Sequence, residues 1–306
     1  MAAQPIQDLL WSDDFAVLLG LKHSIYPNRN LPDGQEFTRH ERLMVYLHRN
    51  AEESEPQQDI INSRFCALYL PATIDKLFNL PVPTDMQTLE EHEMAFTFSA
   101  HNAWAEMLVA VQHIPYVGKY LRSNKPIAAP GKQLPQLLAD RLADAAPRWE
   151  GKMAASRRNV CDEERQHYIS AAANAVQVLN TLCTHFIKVK DRETVISRET
   201  QGKLLPFFLR WSRRYRGQFL GDVSERMKNF FSNQAERDEE FRIVRRMYRN
   251  WDVCGLPTCN ERTEKKLKAC GRCQTVRYCS SEHQRMDWTN NIAGAPHKQF
   301  CHKTEY

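Results

Sequence analysis

The strongest constraint on this chain is a run of metal-binding side chains arranged as four short pairs. Cys254 and Cys259 form CxxxxC, Cys270 and Cys273 form CxxC, Cys279 and His283 form CxxxH, and His297 and Cys301 form HxxxC. Six of the nine cysteines lie in this stretch, whereas Cys66, Cys161 and Cys183 are scattered singly before it. In a reducing compartment such density points to metal before disulfide. Two to four intervening residues let the backbone turn back on itself, so each pair can supply one edge of a tetrahedron. Eight nitrogen and sulfur ligands are the number that two tetrahedral zinc ions require. The third and fourth pairs stand at i, i+4, where a helix presents both side chains from one face.

The rest of the 306 residues reads differently. From Met1 to about Asn250 the pattern is helical, with few alternating runs. It is clearest from Glu163 to Ile187, where Ile169, Ala172, Ala173, Val176, Leu179, Cys183 and Phe186 recur at three- and four-residue steps. The acidic Asp162, Glu163 and Glu164 mark its start. Further helices are expected over Gln35–Asn50, Gln57–Tyr69, Thr88–Val111, Lys132–Arg148, Arg198–Tyr215, Asp222–Phe231 and Gln234–Trp251. Breaks are expected at Pro71, Pro81, Pro83, Pro126, Pro130, Gly131 and Pro135, and a loop over Lys188–Gln201. The fold class is therefore mainly α. Residues 1–250 form a helical region of unassigned role, with room for two subdomains, and residues 251–306 a small zinc-dependent unit.

CGRCQTVRYCSSEHQRMDW from Cys270 to Trp288, closed by HKQFC from His297 to Cys301, resembles a MYND-type zinc finger. The resemblance rests on the CxxC followed by Tyr-Cys, on Gln284 after the sixth ligand, on the Asp287-Trp288 pair and on the closing HxxxC. It spans Cys254 to Cys301 and nothing upstream. The sequence departs from the family at His283, where Cys is usual, and in the longer stretch from Gln284 to Pro296. Imidazole is an ordinary zinc ligand, and Asn290–Pro296 reads as a loop. The resemblance implies a cross-braced pairing: Cys254, Cys259, Cys279 and His283 on one ion, Cys270, Cys273, His297 and Cys301 on the other. Each ion would then meet three thiolates and one imidazole, near −1 in net charge, with no position open to water. Both would be structural cofactors. Binding of a short Pro-rich peptide on a partner protein is also implied, with Gln274–Tyr278 as a docking strand and Val276, Tyr278, Gln284 and Trp288 lining the groove. Trp288 could equally cap the finger's small core.

Other functions find less support. Arg210, Arg213, Arg214 and Arg216 alternate with Phe207, Phe208, Trp211 and Tyr215 between residues 203 and 218, a mixture suited to nucleic acid or to an ordinary amphipathic helix. The second reading is preferred because no nucleic-acid-binding fold frames the segment. MYND fingers also occur beside SET methyltransferase domains, but no SET-like run is present, and neither is GxSxG, HExxH, a P-loop or a strand-led GxGxxG. The chain is read as a non-enzyme. A net charge of +5 permits acidic partners without requiring them. No apolar run approaches the roughly 18 residues of a membrane span. Asp8, Asp13 and Asp14 interrupt what would otherwise resemble a signal sequence. The expected setting is intracellular, nuclear or cytoplasmic. The expected role is an adaptor in a transcriptional or ubiquitin-ligase complex.

Overall fold

A computed structural model describes residues 11–80, 102–155, 160–185, 195–232, 254–259, 267–289 and 295–306. The expected helix over Gln234–Trp251 lies outside these residues. So do the first part of Thr88–Val111, Phe186, Pro81, Pro83 and the first half, 188–194, of the expected loop at 188–201.

Among the described residues the body is built from α1 (Ser12–Leu18), α2 (Glu36–Glu52), α3 (Glu55–Phe78), α4 (Ala103–Val111), α5 (Pro115–Arg122), α6 (Ala129–Ala154), α7 (Asp162–His185), α8 (Arg198–Arg214) and α9 (Phe219–Phe231). Local chemistry sets several starts. Asn102 accepts from the Ala105 N–H at 3.0 Å and Ser197 from the Thr200 N–H at 3.2 Å, so each caps an otherwise unsatisfied donor. Pro115 and Pro130 fall in the first turns of α5 and α6, where a missing N–H costs nothing.

Several expected breakers do not break. α3 continues through Pro71, and α6 begins before Gly131 and continues through Pro135 and Pro147. Each interior proline removes one ladder hydrogen bond, at about 3 kcal/mol. Burial offsets that cost along the two helices, which together carry Phe65, Leu70, Ile74, Leu134, Pro135, Leu138, Leu142 and Trp149 into the interior. Gly131 is needed for contact rather than for a turn: a Cβ there would lie 2.6 Å from the Tyr120 ring. Pro126 does mark a change of direction, opening a 3-10 turn, Pro126–Ala128, between α5 and α6.

α3 packs on α1, α4, α5 and α6, while α6 to α9 form a second group in which α7 meets α6 and α9, and α8 meets α6 and α9. The apolar face of α7 is wider than the expected stripe. Ala171, Ala175, Val178 and Leu182 are buried together with Ala172, Ala173, Val176, Leu179 and Cys183, while Ile169 is half-buried. A helix apolar on most sides belongs at a centre. Elsewhere in the body Arg39 is fully buried, held by Glu36 (2.9 Å) and by the carbonyl of Leu18 (2.6 Å).

The zinc-dependent unit contributes an antiparallel pair, β1 (Lys268–Ala269) and β2 (Arg277–Tyr278), then α10 (Ser281–Thr289) and a 3-10 turn, His297–Gln299. Its buried residues, among them Leu256, Tyr278, Cys301 and Tyr306, belong to the same apolar cluster as the helical body.

Candidate metal centre

Local geometry around each pair explains how the ligands converge. Cys270 and Cys273 lie on a tight turn closed by Gln274 N–H donating to the Cys270 carbonyl (3.0 Å) and Cys270 N–H donating to the Val276 carbonyl (2.8 Å). Gln274 has φ +60°, the left-handed conformation that bends the chain back. The docking strand expected over Gln274–Tyr278 is therefore shorter: Gln274 belongs to the turn, and pairing is confined to Arg277 and Tyr278. Gly255 donates to the Arg277 carbonyl at 2.7 Å, and a Cβ there would lie 2.1 Å from Val276 Cγ1, so only glycine lets the first knuckle approach β2.

The third pair does not sit on one helical face as its spacing suggests. Cys279 precedes α10 while His283 lies in its first turns, and Ser280 Oγ accepts from the His283 N–H at 3.1 Å. The fourth pair straddles the 3-10 turn that His297 opens.

Two quartets result. Cys254, Cys259, Cys279 and His283 converge in one place, Cys270, Cys273, His297 and Cys301 in another, with the ligand atoms of each set within 4.8 Å of one another. In the first, Cys259 Sγ and Cys279 Sγ are 3.9 Å apart and Cys254 Sγ and His283 Nδ1 are 3.6 Å apart. In the second, Cys270 Sγ and Cys301 Sγ are 3.7 Å apart and Cys273 Sγ and His297 Nε2 are 3.5 Å apart. A tetrahedron with zinc–sulfur bonds of about 2.3 Å has sulfur–sulfur edges of about 3.8 Å. The Cys279–His283 edge is tighter, at 3.0 Å. Both quartets fit zinc. His302 stays outside them, its N–H donating to the Tyr116 hydroxyl at 2.6 Å.

Residues 254–301 match the family model described as MYND finger. The chain ends its described helical body in a MYND finger. Neither the curated proteins nor the solved structures include a match to it. The grouping of ligands is the cross-braced one that the sequence resemblance implies, with pairs one and three together and pairs two and four together.

The two centres of the MYND finger differ in exposure. All four groups of the second are buried; in the first only Cys254 is, and the other three are half-buried. The second is also better supplied with donors, since Cys273 Sγ accepts from Thr275 Oγ1 (3.2 Å) and Thr275 N–H (3.4 Å). Thiol electrostatics follow. Cys270 is held below the usual thiol range by hydrogen bonds from Cys273 and Cys301, and Cys301 is pushed above it by Cys270 and Cys273. Burial disfavours charge on His297, but Cys270 and Cys273 hold its pKa up at about 9.

Helix α5, which the sequence reading missed, is the seat on which this finger rests. Tyr116, Lys119 and Tyr120 share one of its faces. The Tyr116 hydroxyl lies 2.8 Å from the Phe300 carbonyl, to which it donates, and accepts from His302. Tyr120 meets the Tyr306 ring edge-on at 5.1 Å, and Lys125 donates to the Glu305 carbonyl at 2.8 Å. The PYVGKYLR stretch lacks a long repeat, and nothing local announces its partner.

Of the expected groove residues, Val276, Gln284 and Trp288 are half-buried. Tyr278 is 1% exposed and donates to Asp287 Oδ2 at 2.7 Å, so its ring faces inward and only its backbone lies along the strand. Trp288 stands edge-on to His297 at 5.9 Å and packs on the core with part of its surface open.

In the basic-aromatic segment, Phe208, Trp211 and Tyr215 are buried. Arg210 pairs with Glu150 at 2.7 Å and Arg214 donates to the Met153 carbonyl at 3.1 Å. Those rings are packed in the helical body, where bases cannot reach them. Cys66 and Cys183 are fully buried core residues whose thiols burial pushes up, leaving no reactive thiolate at either. No described helix is long and apolar enough to cross a membrane.

Proposed function

We propose that this chain is a protein–protein adaptor, not an enzyme, and that its MYND finger receives a short Pro-rich peptide from a partner. The carrying observation is coordinative: each quartet supplies four protein ligands, a full tetrahedron with no position for substrate or reactive water. Zinc in such a site builds a surface, and the work is done on that surface.

Val276, Gln284 and Trp288 supply a partly open apolar and amide face beside the β2 strand, with Met286 exposed at 38% on α10. A flat indole face suits proline rings, and a short strand offers its backbone to an extended ligand. Thiolate sites of this kind persist where thiols stay reduced, which favours the nucleus or cytoplasm and a partner in a transcriptional or ubiquitin-ligase complex. The reading of residues 203–218 as a nucleic-acid surface is weakened by the burial of Phe208, Trp211 and Tyr215.

The test is titration of the full chain and its Trp288→Ala variant with a panel of labelled Pro-rich peptides, zinc content being measured in parallel. Loss of a large aromatic anchor should weaken binding by about 2 kcal/mol or more, some 30-fold, with two zinc ions retained. Equal affinity of both proteins for every bound peptide would remove the groove.

A further inference from the structure

The second zinc centre has a neighbour that does not belong to the finger. Lys119 reaches from α5 to within 3.0 Å of the Cys273 carbonyl and 2.7 Å of Thr304 Oγ1, and lies 5.6 Å from the centre of the Tyr306 ring. Cys273 is itself a ligand of that centre, so the ammonium donates to the peptide that carries one of the three thiolates. The ligands beside it are closed off from water: Cys270, Cys273, His297 and Cys301 are buried, as are Tyr116 and Tyr306, while Lys119 itself is half-buried.

Three thiolates and a neutral imidazole leave a dication at about −1, and a buried net charge is costly unless an opposite charge is close. The first centre, with three of its four groups half-buried, has water to solvate that charge. The second has Lys119. We infer that Lys119 is the counter-ion and positioning residue of the second zinc centre, supplied by the helical body, and that it holds this metal in place more firmly than the finger alone can. Its role is independent of any peptide in the groove. It also makes the two ions unequal: the first exchanges readily, the second slowly.

The experiment follows zinc transfer from the full chain to a chromogenic chelator, with alkylation of the released thiols read by peptide mass. Cys254, Cys259 and Cys279 report the first ion; Cys270, Cys273 and Cys301 report the second. Lys119→Gln keeps a donor without the charge, Lys119→Arg keeps the charge, and Lys125→Gln removes a neighbouring lysine whose ammonium donates to the Glu305 carbonyl. Loss of a partner that supports a metal ligand typically costs about 10- to 100-fold in affinity. Lys119→Gln should speed release and labelling at the second centre by that factor and leave the first unchanged, while Lys119→Arg and Lys125→Gln behave as the unaltered chain. Three results would each overturn the assignment: unchanged release in Lys119→Gln, equal acceleration in the Gln and Arg variants, or equal acceleration at both centres. If Lys119→Gln does not fold, the comparison is made with Lys119→Arg against Lys119→Met by cobalt(II) titration of refolded chain, where equal second-site affinities in the two would overturn it.

Discussion

The hydroxyl of Tyr306 donates to the backbone carbonyl of Cys66 at 2.9 Å, joining the segment beyond the last zinc ligand to the middle of α3. The ring is 3% exposed and burial holds its pKa well above the usual tyrosine value, so it is a neutral aromatic plug in the helical body. Cys301 and Tyr306 are five peptide bonds apart across that junction, which ties the geometry of a zinc ligand to the packing of α3 and α5.

This contact predicts a graded loss of stability. Tyr306→Phe removes one buried hydrogen bond to a carbonyl within α3 and should cost about 1 kcal/mol. Tyr306→Ala removes the ring as well and should cost about 3–5 kcal/mol. Denaturant unfolding followed by helix circular dichroism checks both, since every described α-helix except α10 lies outside the finger. No shift of the helical transition in Tyr306→Ala would show that the junction carries no load.

Gly255 offers a local test of the first centre. A methyl group there must displace Val276 or β2, and such overpacking costs about 1–3 kcal/mol. Gly255→Ala should therefore weaken zinc at the Cys254, Cys259, Cys279 and His283 quartet while the second keeps its ion. Cobalt(II) titration distinguishes the two as separate steps, and two unchanged steps would contradict the close approach.

The His297 imidazole predicts a pH dependence. With the four ligands gathered and no ion between them, Cys270 and Cys273 hold its pKa up at about 9, against an ordinary 6.5. Zinc ligation needs the neutral imidazole and the thiolates, so a gathered ligand set must release protons at any pH below about 9, and affinity rises with pH up to that value. Proton release in weakly buffered solution, measured beside zinc affinity, checks the sign. Zinc binding without proton release near neutral pH would contradict it.

The finger was legible because zinc ligation is written locally. Four pairs at short spacings fix where the turns must lie, and the resemblance carried by Tyr278, Gln284, Asp287 and Trp288 supplied the cross-bracing. The long amphipathic helices were legible for a similar reason, their apolar residues recurring within one element. What was missed depends on distant partners. Pro71 and Pro135 look like stops until the faces that α3 and α6 bury are known. Tyr116 and Lys119 look like ordinary residues of a broken segment because what they hold, the backbone at 273, 300 and 302 and the Thr304 hydroxyl, lies more than 150 residues further along the chain. The inward ring of Tyr278 was likewise hidden, since strand alternation does not tell which side Asp287 will occupy.

The most direct test of the whole account is metal stoichiometry combined with order. Purified full chain should contain two zinc ions, and a strong chelator should abolish the protease resistance of residues 267–289 and 295–301 together with the bound metal. Fewer than two zinc ions per chain, with those residues still protected in chelator, would contradict the claim that zinc builds the finger.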